Sequence, residues 1–442
     1  MIRAPGARLT SLLLLLLLNL VPSFLGAQED FRAAQPERGA SLRVVLMTIG
    51  RGDAIWERFG HNAIWIQDEE TGQGVAYNWG IFDFGQEDFI SRLARGEMLY
   101  RMAPLDPFAS LEEYRRADRP VWIQELAMTP SQKSDLLAFV QWNALPENRE
   151  YLYDYYRDNC STRVRDALDR ALGGRIKAES AADTTVHSFR WHTRRLLRDH
   201  WPAYLGIQFV LGPRADRPIT GWEEMFLPER LMERIRDVMV PDGEGGSRPL
   251  VVDERVILPS DRLPEPESPP MALPWFLMAG LLWGGGMLLL ARSSAHATLR
   301  SRLAPGLLAG GWALLVSLGG TLLLVAWTLT DHEFWYGNWN LLHANPLFLL
   351  LMVPFGIYVA RGRFPRWGRN LAAVLAAVSV AGAVLQLVPG LGQEGFEILA
   401  LLLPVNLSLW LVSARLWRAG AGGPLDSDPQ VLEDPGGAGR GA

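Results

Sequence analysis

The chain carries 442 residues with a formal net charge of −5 and a mean hydropathy of +0.05. That balance lacks the basic patch a general nucleic-acid binder needs, so no nucleic-acid partner is expected. Neither zinc-type Cys/His spacing nor a nucleotide-binding glycine loop occurs, so no metal and no cofactor is expected.

The first 27 residues read as a secretory signal. Arg3 and Arg8 form its basic start and Leu12 to Leu20 its apolar core, and it is either cleaved after Ala27 or kept as an anchor. A soluble domain is expected over residues 41–240. Leu42 to Thr48 is an apolar strand candidate. Residues 63–66 and 75–79 read as the arms of a hairpin whose turn is served by Gly72 and Gly74. Asp106 before Pro107, and Thr129 before Pro130, are helix starts with proline in the first turn.

Cys160 is the only cysteine of the chain. A free thiol is a liability in an oxidising compartment, so one kept there is either buried and inert or central to function. Val164, Ala167, Leu168, Ala171 and Leu172 follow it at helical spacing, and Gly173 and Gly174 end the pattern. Asp158 or Asn159 serves as the N-cap, which sets Cys160 in the first helical turn. There the helix dipole and the unpaired N–H groups are expected to favour a thiolate.

A thiol nucleophile also requires a base. His61 follows Gly60 at the entry to the first hairpin strand, among aromatic residues, and is the preferred candidate. If the turn pairs Ile66 with Val75, Ala63 faces Asn78, and Asn78 shares a side with His61 because strand side chains alternate. Asn78 is therefore a candidate third group, with Asp83 as its rival. His187, His192 and His200 lie in a run with Arg190, Arg194, Arg195 and Arg198, which reads as a solvated or headgroup-facing helix.

Residues 241–270 are rich in Pro, Gly and charge and read as a linker. Five apolar stretches follow within 271–416, at 272–291, 304–329, 346–360, 371–388 and 398–414, the third extended by Leu341 and Leu342. Arg292, Arg300 and Arg302, then Arg361, Arg363, Arg366 and Arg369, then Arg415 and Arg418 mark alternate connections and the tail. By the positive-inside rule those segments are cytoplasmic, and the soluble domain lies on the other side. The polar and aromatic loop from Thr330 to Asn345 reads as an interfacial belt or as a wall facing the substrate. The Gly-rich tail over 417–442 is expected to be disordered.

Three blocks carry a resemblance: Phe-Gly-His-Asn-Ala-Ile-Trp-Ile, then Tyr-Asn-Trp-Gly-Ile-Phe-Asp-Phe, then Tyr-Asp-Tyr-Tyr-Arg-Asp-Asn-Cys-Ser-Thr-Arg. Together they resemble the Lnb N-terminal periplasmic domain family, and the likeness covers roughly residues 41–415. The resemblance implies a bacterial inner-membrane protein related to lipoprotein N-acyltransferases. The order His then Cys is also similar to circularly permuted papain-like and NlpC/P60-like domains. The implied fold is an α+β papain-like domain followed by an all-α membrane domain of about five helices. The implied roles are Cys160 as nucleophile and His61 as base. The expected partners are a phospholipid or lipoprotein acyl donor, a lipoprotein acceptor and the membrane. A peptidase or amidase of the cell wall and a non-catalytic scaffold are the alternatives.

Overall fold

A computed structural model describes residues 37–83, 85–293 and 298–421. The signal segment and residues 422–442 lie outside the described residues. The chain divides into two compact units, one made of residues up to 83, 99–184 and 220–263, the other of 84–98, 185–219 and 264 onward.

The first unit is a mixed α/β domain built on one antiparallel sheet. Its strands are β1 (Leu42–Ile49), β2 (His61–Asp68), β3 (Gly74–Ile81), β4 (Leu99–Leu105), β5 (Val121–Leu126), β6 (Glu150–Leu152) and β7 (Val251–Leu258). They lie in the order β7-β5-β1-β2-β3-β4-β6. The hairpin has the expected register, with Ile66 opposite Val75 and Ala63 opposite Asn78. Period-2 alternation sends Leu46, Ile64, Tyr77 and Trp79 into one core and Val45, Met47, Ala63 and Ala76 into the other.

Helices α1 (Pro107–Arg116), α2 (Pro130–Asn143) and α3 (Cys160–Ala171) complete the domain. Asp106 caps α1 by accepting from the Phe108 and Ala109 N–H groups, and Thr129 caps α2 in a capping box with Gln132. Val164, Ala167 and Leu168 of α3 pack on the first core, each large apolar side chain contributing roughly 1.5–3 kcal/mol. The expected linker needs correction: β7 falls inside residues 241–270 and pairs with β5, from Val251 opposite Leu126 to Leu258 opposite Val121. Its Asp253, Glu254 and Arg255 hid a strand because β7 lies at the sheet edge, where charge is tolerated and blocks further pairing.

Among the described residues, the second unit is dominated by five helices long and apolar enough to cross a membrane: Leu273–Arg292, Leu299–Leu329, Asn340–Arg361, Arg366–Leu385 and Phe396–Gly420. The third begins upstream of Leu341 and Leu342, as expected. The fifth lies in a helix that continues to Ala421, so residues 417–421 extend the helix instead of opening the tail. Phe348, Leu351, Phe355, Val405 and Leu409 form its core. His343 is buried there and bonds Ser379 Oγ at 2.8 Å and Gln386 Nε2 at 3.1 Å.

Two short helices, α4 (Phe189–Leu196) and α5 (Trp201–Val210), belong to this unit and overturn the solvated-helix reading. Arg190 and Arg195 are fully buried, and Arg194 is largely covered. Arg190 is paired with Asp216, Arg194 with Glu397, and Arg195 with Glu265. A buried guanidinium persists only when paired, and these acids are remote in sequence. Arg198 alone is exposed, donating to the Ser268 carbonyl at 3.3 Å. His192 is buried and accepts from Arg195 Nε at 3.1 Å, His187 stacks on Trp191, and His200 caps α5. The loop residues Asn338 and Asn340 donate to the carbonyls of Gln208, Phe209 and Val210 at the end of α5.

Candidate active site

Cys160 opens α3. Asn159 is its N-cap, accepting from the Ser161 and Thr162 N–H groups at 2.9 Å each. The Asn159 amide donates to the carbonyls of Tyr155 and Phe226, and Ser161 Oγ donates to the Met225 carbonyl at 2.7 Å. The helix start is thus bolted to a second segment before any substrate arrives. The thiol itself is half-buried.

The place where α3 meets the sheet is set by a bulge. Asn78 pairs with Ala103 but Ile81 with Arg101, so β3 carries one extra residue there. Gly80 occupies it with φ +90°, a conformation L side chains rarely adopt. A Cβ on Gly80 would lie 3.2 Å from Cys160 Cβ, so the bare backbone is what admits the thiol.

His61 is the first residue of β2, and Gly60 before it has φ +79°. The His61 Nε2 and Asn78 Oδ1 atoms lie 3.0 Å apart. The Asn78 amide donates from Nδ2 to the Ala76 carbonyl at 2.9 Å, which turns its oxygen toward the imidazole. Asn78 can therefore only accept from His61. The proton belongs on Nε2, and Nδ1 carries the free lone pair. Asp83, the rival orienting group, is exposed beyond the end of β3. Cys160 meets the same strand one residue along, where the Asn62 backbone N–H donates toward its sulfur, as does Ser161 N–H. The direct contact in the site is thus His61 with Asn78, while the resting thiol faces the Asn62 amide.

The protonation state corrects the thiolate expectation. Burial pushes the Cys160 thiol up, and the N–H groups of Asn62 and Ser161 and the Arg119 charge offset this only in part. Burial drives His61 down to about 4, against the hydrogen bond it donates to Asn78 and with help from the Arg119 charge. The resting pair is neutral thiol and neutral imidazole. Desolvation outweighs the helix dipole because the dipole acts over a single turn, whereas the packed sheet and aromatic side chains withdraw most of the water that would solvate a thiolate.

Sequence reading missed the surroundings of the sulfur. Trp56, Phe82, Tyr100 and Tyr153 make a continuous aromatic row, with Tyr100 stacked on Tyr153 at 4.0 Å. Burial, with a contribution from charge on Cys160, raises the Tyr100, Tyr151 and Tyr153 phenols, which places all three within electrostatic reach of the sulfur. Gly80 did carry a signal: a glycine inside a strand pattern marks a bulge or a close backbone approach.

Five apolar helices joined to a mixed α/β domain define a multi-pass membrane protein, whose domain sets a helix-start cysteine beside a His–Asn strand pair. The family model of the Lnb N-terminal periplasmic domain matches residues 31–199, and that of the Lnb transmembrane domain matches residues 298–415. The chain belongs to the Lnb family. No curated protein and no solved structure matches it.

Proposed function

We propose that this protein is a membrane-bound, thiol-dependent acyltransferase that moves a fatty acyl chain through Cys160 to the N-terminal amine of a lipoprotein. The observation that carries the reading is the His61–Asn78 hydrogen bond on the strand whose next N–H meets the Cys160 sulfur. It leaves Nδ1 of His61 as the free basic atom of the site.

In the first half-reaction His61 Nδ1 takes the Cys160 proton as Sγ bonds to the carbonyl carbon of an ester. The tetrahedral oxyanion takes a hydrogen bond from the Cys160 backbone N–H. The C–O bond then breaks, and the leaving alcohol receives the proton from His61. In the second half-reaction the lipoprotein amine attacks the thioester carbon and gives its proton to His61. The C–S bond breaks, and the sulfur recovers a proton from His61. A neutral resting pair suits this sequence, because proton transfer is then part of bond formation. The hydrogen bond from Sγ to Nδ1 forms when substrate binds, since catalytic hydrogen bonds are often completed only in the substrate complex. The aromatic row of Trp56, Phe82, Tyr100 and Tyr153 offers the acyl chain an apolar surface.

The acyl donor is an ester of a phospholipid or of the lipoprotein itself. The Arg-rich connections support an inner-membrane orientation with the thiol domain in the periplasm and the C-terminus in the cytoplasm. The test is mass spectrometry of the purified protein after incubation with phospholipid vesicles or diacylated lipoprotein. An acyl adduct on Cys160 that is lost in Cys160→Ala supports the reading. Absence of an adduct together with cleavage of cell-wall peptides would replace it with a peptidase.

A further inference from the structure

The end of the sheet that carries His61 also holds a cation that the steps above do not use. Arg119 lies between α1 and β5 and is only 6% exposed. Val121, Ile49 and His61 form one row across an end of the sheet. Arg119 joins that end directly, its Nε–H donating to the carbonyl of Gly50 at 2.9 Å. Its Nη1 stands 3.4 Å from Glu57, and its guanidinium lies over the Tyr114 ring at 5.4 Å. Nη2 is buried with no hydrogen-bond partner among the described residues.

Glu57 meets only Nη1, and its other oxygen accepts from the Ala54 N–H at 3.2 Å, so Nη2 is left without an acceptor. Leaving a buried cationic N–H without an acceptor is costly, so an anion that forms within its reach is held there. In the resting site Cys160 and His61 are both neutral, so nothing negative stands there until reaction begins. The charge nevertheless reaches both groups, since it lowers the proton affinity of the thiol and of the imidazole.

We propose that Arg119 is the charge-stabilising group of this site, holding the negative charge that forms on Cys160 and on the acyl oxyanion during thioester formation. The proposal rests on Cys160 being the nucleophile. A fixed guanidinium in a water-poor site is already oriented when the anion appears, so it lowers the barrier without reorganising. Arginine suits the role because it stays charged when buried, unlike lysine.

The experiment alkylates Cys160 in the full-length protein in detergent micelles, with mass spectrometry as readout. Neutral iodoacetamide and anionic iodoacetate are compared on wild type, Arg119→Lys and Arg119→Gln. Wild type is expected to favour iodoacetate relative to a free thiol in solution. Arg119→Gln should slow iodoacetamide about tenfold near pH 8, because less of the thiol ionises without the neighbouring charge, and should erase the iodoacetate preference. Arg119→Lys should keep most of both. A reactive Cys160 with unchanged rates in Arg119→Gln overturns the proposal and leaves the thiol reading standing. Equal losses in the lysine and glutamine variants also overturn it, because they assign Arg119 to holding the Gly50 turn. Native wild-type Cys160 that reacts with neither reagent overturns the thiol reading itself. Should the variants not fold, wild type alone decides: an iodoacetate preference that salt weakens supports the proposal, and no preference sinks it.

Discussion

Gly80→Ala separates the two demands that the β3 bulge makes. At φ +90° any L residue is strained, which costs on the order of 1–3 kcal/mol. Gly72, in the turn of the same hairpin, has φ +70° and open space where a Cβ would stand, so Gly72→Ala incurs backbone strain of a similar kind and no contact. At Gly80 the new Cβ would stand 3.2 Å from Cys160 Cβ, and the neighbour must give by a few tenths of an ångström. A misplacement of about 1 Å can lower a rate about a hundredfold, so a shift of this size predicts a loss of roughly tenfold. Both variants should melt a few degrees below wild type, about 2–4 °C per kcal/mol for a domain of this size. Only Gly80→Ala should form the Cys160 acyl adduct more slowly. The assay pairs thermal melts in detergent with timed mass spectrometry of the adduct. Equal adduct rates in the two variants would refute the claim that Gly80 sets the position of the thiol.

The pH dependence tests the neutral pair. Alkylation of Cys160 should climb through alkaline pH with a midpoint above the ordinary thiol value of about 8.5, and a midpoint below 7 would contradict the burial argument. Folding stability should also respond through His61. The unfolded chain binds a proton below 6.5, whereas the native imidazole binds one only near 4. Stability is therefore full above 6.5 and falls toward pH 4, by up to about 3 kcal/mol. Melts of His61→Gln should show a shallower fall over that window, and an identical pH profile would contradict the assignment. Asn78→Ala strands a half-buried imidazole N–H, costing about 1 kcal/mol, and frees the tautomer, so adduct formation should drop well beyond what the stability loss explains. In the second unit, Arg190→Ala leaves Asp216 unpaired and should cost about 3–5 kcal/mol, while Arg198→Ala should leave the melt unchanged; similar melts would restore the solvated-helix reading.

What could be read in advance was local. The Ile66–Val75 register follows from turn glycines and alternation, and with it the shared side of His61 and Asn78. The caps at Asp106 and Thr129 follow from short-range hydrogen bonding, as does a cap at Asp158 or Asn159, of which the structure uses Asn159. What escaped was set by distant partners. Arg190 and Arg195 look like surface charge until Asp216 and Glu265 are placed beside them. Strand β7 looked like linker because an edge strand carries charge where a central one carries valine. The thiol's protonation escaped for the same reason: the helix dipole is written within one turn, while desolvation depends on the fold as a whole.

The pairing of Arg194 with Glu397 also orders events in time. The two residues are 203 positions apart, and Glu397 opens the last membrane helix. Synthesis runs from the amino terminus, so α4 emerges long before its counter-charge exists. Its guanidinium must stay hydrated until the final helix has been made and inserted. The pair can close only after that helix exists, and a chain truncated before Phe396 would present quality-control proteases with an open seam at α4.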